Sequence, residues 1–174
     1  MSDPRYPIGQ FRPPSVFTSE VRSALIEQVE STPKNLRAAV KGLSEDQLDS
    51  PYREGGWSVR QVVHHLPDSH MNAYVRFKLA ITEDEPTIKP YQEALWAELP
   101  DARSGDIAPS LDLLAALHQR WVGFLRGLQE SDYQRLLFHP EQGTVSLDTM
   151  LALYAWHGRH HVAHITGLRE YEGW

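Results

Sequence analysis

The 174-residue chain contains no cysteine. That excludes disulfides, thiolate metal ligands and a cysteine nucleophile together. It has no apolar run near the ~20 residues a membrane-spanning helix needs. Its opening stretch, "MSDPRYPIGQFRPP", lacks the apolar core of a secretory signal, so a soluble cytoplasmic protein is expected. Positive charge is also in deficit, with 17 Lys and Arg against 23 Asp and Glu and a net charge of −6. This argues against nucleic acid or an anionic membrane as partner. No internal repeat or low-complexity tract divides the chain.

What is present is ordinary globular composition, 41% hydrophobic and 23% charged, enough for one domain with a real core. Residues 1–14 carry four prolines and are expected to form an extended arm; residues 15–174 form the domain. "VFTSEVRSALIEQVESTPKNLRAAVKGL" reads as a long helix burying Val21, Leu25, Val29, Leu36 and Val40, with Pro33 expected to kink or restart it. "LSEDQL" reads as one turn capped by Ser44, and Ser58 with Gln61 forms a capping box. The helix after Ser58 buries Val59, Val62, Val63, Leu66, Ala73 and Phe77 and is expected to bend at Pro67. "YQEALWAEL" reads as a short helix started by Pro90, and "DARSGDIAPS" as a loop. An amphipathic helix follows, striped by Leu114, Leu117, Trp121, Leu125 and Leu128. "FHPEQGTVSL" reads as a short hairpin or a loop, and a last helix runs from about Ser146 to about Glu170. Four main helices make an all-α four-helix bundle, with loops long enough to rim a pocket.

Seven of the nine histidines fall in two stretches, "HHLPDSH" and "WHGRHHVAHI". Residues i and i+4 share a helix face, so His157/His161 and His160/His164 are each able to converge on one ion. Leu147, Leu151, Tyr154, Ile165 and Leu168 define the buried side of the last helix. His161 lies near its middle, His157 at its edge, and His160 and His164 on a flank. On the second helix His64 points away from the apolar face, His65 lies at its edge and His70 nearer the core. Angles alone leave His65 and His70 both open as a third ligand. His118 and His139 stand alone and read as structural, His139 near the site mouth. Three imidazoles without thiolate suit Zn²⁺, Ni²⁺ or Fe²⁺, and three protein ligands with an open position is the catalytic zinc pattern. "HGRHH" lacks the glutamate of HExxH, so no general base is built into the motif.

The chain resembles the DinB/YfiT family of bacterial four-helix metalloproteins. The resemblance rests on "YPIGQF", "GGWSVRQVVHHLPDSHMNAYVRFKLAITEDEPTIKPY", "LHQRW", "HPE" and "LYAWHGRHHVAHITGL", and spans nearly the whole chain. Pro67 departs from it, standing where the pattern often has alanine. The resemblance implies one divalent metal, Zn²⁺ or Ni²⁺, bound by His65, His157 and His161, and a homodimer. It also implies a metal-dependent hydrolase of the YfiT branch acting on a small molecule. The alternative it implies is an S-transferase joining a low-molecular-weight thiol, such as bacillithiol, to electrophiles. A non-catalytic, metal-stabilised stress or interaction protein is the remaining reading. In the hydrolase the ion lowers the pKa of a bound water toward roughly 7; in the transferase it deprotonates a thiol. Asp68 is a candidate to orient an imidazole, and Arg60, Arg76 and Arg159 to hold an anionic substrate.

Overall fold

The computed structural model describes residues 3–174. Its elements run α1 (Ser19–Val40), α2 (Glu45–Leu48), α3 (Val59–Thr82), α4 (Glu93–Trp96), α5 (Pro100–Ser104), α6 (Ile107–Arg126), a 3-10 turn (Glu130–Gln134), β1 (Leu136–His139), β2 (Gly143–Ser146) and α7 (Leu147–Glu172). The caps form as their residues dictate. Ser44 with Gln47 and Ser58 with Gln61 make reciprocal capping boxes, satisfying backbone donors that the first turn leaves free.

The structure differs from the sequence reading at the loops and at Pro90, and no new helix starts at Pro33. α1 is one unbroken helix through Pro33, and α3 runs unbroken through Pro67. Pro90 starts no helix: α4 begins at Glu93, behind Gln92. The expected loop over 101–110 holds most of α5 and the first turn of α6, where the Asp106 side chain accepts from the Ala108 N–H. Residues 136–146 form the hairpin, with Leu136 opposite Ser146 and Gly143 taking the positive φ at its turn.

α1 packs on α6 and α7, and α3 packs on the same two. At one end Leu36, Val62, Leu66, Leu114 and Ile165 share an apolar cluster. At the other Leu25, Phe77, Trp121, Leu125 and Leu151 share a second. Those positions set the directions: α1 and α7 run one way, α3 and α6 the other. Neighbouring parallel helices cannot be joined by a tight turn, so the chain must travel back along the bundle between them. Residues 83–106 make that return, and α4 and α5 are helical turns along it. They are fastened to the start of α3, where Gln61 Nε2 donates to the Ala97 carbonyl at 2.8 Å and Arg60 Nη1 to the Gly105 carbonyl at 3.0 Å. The bundle thus needs its long connection for topology as well as for any rim.

Between the two apolar clusters, at the same level on every helix, lies a polar layer: Thr32 on α1, His65 and His70 on α3, His118 on α6, and His157 and His161 on α7. The N-terminal residues lie across α7 beside this layer. Phe11 packs on Trp156 with ring centroids 5.9 Å apart, and Trp156 Nε1 donates to the Gly9 carbonyl. Among the described residues no helix is long and apolar enough to cross a membrane.

Candidate metal centre

His157 and His161 stand one turn apart on α7, their rings edge to face at 4.5 Å. α3 brings His65 opposite them, with its Nε2 3.2 Å from His157 Nε2. One ligand nitrogen from each of the three lies within 4.8 Å of the others. Two nitrogens held at ~2.05 Å by a tetrahedral ion sit about 3.3 Å apart. The donor set and its spacing fit a divalent ion.

The remaining histidines decide which nitrogens face that point. A carbonyl oxygen can only accept, so His118, whose Nδ1 lies 2.6 Å from the Val29 carbonyl, carries its proton on Nδ1. Its Nε2 must then accept from His70 Nδ1, 2.7 Å away. His70 Nε2 in turn accepts from His157 Nδ1 at 3.0 Å. The result is a bare Nε2 on His157, aimed toward His65. A second relay does the same for His161. His164 Nε2 donates to the Arg5 carbonyl at 3.3 Å, so its Nδ1 accepts from His161 Nδ1 in a long contact of 3.4 Å, freeing His161 Nε2. His164 is held for this by Tyr52, stacked on it at 4.0 Å, and His160 stacks on Trp156 at 4.2 Å.

Burial keeps these rings neutral. It pushes His65, His118, His160 and His164 down to about 4. His70, His157 and His161 are driven well below the ordinary range, again chiefly by burial, with neighbouring imidazoles adding to it. Neutral imidazole is the ligating form.

Two cavities meet at the centre. One, of about 490 Å³, runs between α3, the α4 region, the hairpin and α7, and includes His157 in its wall. The other, of about 380 Å³, lies under the N-terminal residues and is lined by His65, His157 and His161. His157 and Glu93 line both. Burial, then the charge of Glu141, raises the Glu93 carboxyl above its usual range.

The family model of the DinB superfamily matches residues 28–165, most of the chain. The chain belongs to the DinB superfamily. A Bacillus mycoides protein named as a putative metal-dependent hydrolase is 53% identical over 174 residues, the whole of both chains. A Bacillus thuringiensis relative with the same description is equally similar over the same span. The solved structure of Bacillus subtilis YfiT, described as "a probable metal-dependent hydrolase with an unusual four-helix bundle topology", matches with TM-score 0.96 and 46% identity over 98% of each chain. The four-helix bundle of the DinB/YfiT type is therefore the fold of this chain.

Within this DinB-superfamily fold the other residues singled out from the sequence separate clearly. His64 points away from the centre, yet it is buried under the returning segment, its Nδ1 2.7 Å from Ser110 Oγ and its Nε2 3.2 Å from the Gly105 carbonyl. His160 and His164 lie on the expected flank, but the N-terminal residues cover it and both are buried. Asp68 makes no side-chain hydrogen bond to an imidazole among the described residues; burial raises its carboxyl to about 6. Arg60 is consumed by Asp49 at 2.7 Å and Glu45 at 2.6 Å. Arg159 is exposed and bonds back to the Ala155 carbonyl. Arg76 and His139 are both buried and line the larger cavity. The role of His118 escaped the sequence reading, although its spacing from Leu114, Trp121 and Leu125 puts it on the buried stripe of α6.

Proposed function

We propose that this chain is a metal-dependent hydrolase of small molecules, with one zinc or nickel ion held by His65, His157 and His161. The observation that carries the reading is the convergence of three neutral imidazoles where two cavities meet. A divalent ion held there would supply Lewis acidity, the chemistry that makes water acidic near neutral pH. Glu93 would be the proton acceptor beside such an ion, because it alone among the acidic residues lines both cavities. Its raised pKa suits a base that must also return a proton to a leaving group. Trp57, packed at 4.8 Å on His65, and Tyr154, at 5.7 Å from His157, shield the ligand rings from bulk water. The relatives' names, "putative" or "probable metal-dependent hydrolase", support the class.

The pair of cavities favours one second reading, transfer of a small external thiol to an electrophile. Two reactants need two places beside one centre, and cavities of about 380 and 490 Å³ offer them. The test is a panel of esters, amides and an alkylating probe such as monochlorobimane, run on tag-free protein with and without bacillithiol. Chelator-sensitive turnover of an ester or amide without thiol, reduced about 10²-fold or more in Glu93→Gln with metal retained, supports the hydrolase. Enzyme-dependent loss of the probe only when thiol is present replaces it with the transferase.

A further inference from the structure

The larger cavity holds a charge that the rest of the fold leaves unmatched. Arg76 on α3 is only 8% exposed, and its two hydrogen bonds go to neutral oxygens: the Tyr154 hydroxyl at 3.3 Å and the Lys89 carbonyl at 3.4 Å. Both are long for a charged donor. The other buried arginines are treated differently. Arg22 clasps Asp148 at 2.7 and 2.8 Å, and Arg60 is held by Asp49 and Glu45. A buried guanidinium without an anion is costly, and among the described residues Arg76 makes no ion pair. The same wall carries a second unmet group, the buried Tyr91 hydroxyl, which finds no hydrogen-bond partner.

We propose that this cavity binds the carboxylate of the substrate, with Arg76 as its counter-charge and Tyr91 as a hydroxyl donor. Glu93 and Glu141 also line this cavity, so they repel a dianion such as phosphate more strongly than a monoanion, and an anion is held only by direct contact with Arg76. Pro90, Ala94, Met150 and Leu153 supply apolar surface for the rest of the molecule. The volume, about 490 Å³, is that of a small-molecule site. His157 in the same wall puts the opposite end of such a ligand beside the histidine centre. The substrate class is thus a monocarboxylate with an apolar body and a cleavable bond away from the carboxylate. This deepens the function proposed above and depends on it for the reacting end alone; carboxylate binding requires no ion.

The experiment compares phenylacetate with its neutral isostere phenylacetamide by calorimetric titration of the full-length chain at pH 7.5, chelated and zinc-loaded. Wild type is expected to prefer phenylacetate by about tenfold or more in both states, the scale of a charge-assisted contact. Arg76→Met should abolish the preference, Arg76→Lys should keep part of it, and Tyr91→Phe should reduce it several-fold. If Arg76→Met does not fold, the Lys and Phe variants carry the test, and an unchanged preference in both overturns the proposal. Equal binding of the two probes by wild type overturns it, as does failure of phenylacetate to bind. A preference seen only with zinc and untouched at Arg76 assigns the carboxylate to the ion and also overturns it. Undiminished metal in the folded His65, His157 and His161 variants, or no chelator-sensitive turnover, with the chelated preference intact, would defeat the hydrolase reading alone.

Discussion

Val29's carbonyl oxygen decides, through two intervening histidines, which nitrogen of His157 carries a proton. His70 is fully buried and His118 nearly so, and neither faces the converging nitrogens directly. Their effect on the centre runs through His157 Nδ1. Partners of this kind typically change metal affinity by ~10–100-fold when removed. His70→Leu is therefore expected to weaken zinc binding by that range in competition with a chromophoric chelator. His70→Gln should recover much of it, since an amide oxygen can accept from His157 while its N–H₂ donates to His118. Wild-type affinity in the leucine variant would show that the relay positions nothing. At this scale the sequence exposed the i, i+4 pair His157/His161, and the family resemblance singled out His65. The relay was hidden because it joins residues 29, 70, 118 and 157 on four different helices, and no spacing along one helix encodes such a contact.

The elements that hold the centre depend on a close approach of α7 to α1. A Cβ at Gly158, between His157 and His161, would lie 2.5 Å from Thr32 Oγ1 and 2.7 Å from its Cγ2. Gly158→Ala must push the helices apart or twist Thr32, and overpacking of this kind costs about 1–3 kcal/mol. Chemical denaturation should show that loss, and Thr32→Ala in the same chain should restore part of it. A neutral Gly158→Ala would mean that α1 does not press on α7 there. The long helices were readable because each carries a 3.6-residue apolar stripe, to which α3 adds the Ser58 capping box. α4 lies within the short helix expected after Pro90, whereas α5, of five residues, is too short to show a period. The parallel pairing of α3 and α6 was likewise invisible, since apolar stripes set which face is buried but not the direction of the neighbour. Neither Pro33 nor Pro67 interrupts its helix. Tertiary packing holds both helices continuous despite the donor each proline removes.

Across the whole molecule, the fold keeps a layer of neutral imidazoles between two apolar clusters, and that arrangement couples stability to pH. His65, His118, His160 and His164 titrate near 4 when folded against an ordinary 6.5, so between those values the unfolded chain binds more protons. Stability is thus complete above ~6.5 and declines as pH falls from there toward 4, by up to about 1.4 kcal/mol per pH unit for each such ring. Urea midpoints of the chelated protein should fall steeply over that window, and a flat profile would contradict neutral burial. The same protons compete with an ion, which makes metal content the sharper question. Elemental analysis of tag-free protein at pH 7.5 is the direct measurement. Wild type and His160→Ala should retain one divalent ion per chain, while His65→Ala, His157→Ala and His161→Ala, each shown to be folded, should retain none. A folded His161→Ala variant with undiminished metal would contradict the assignment of the centre.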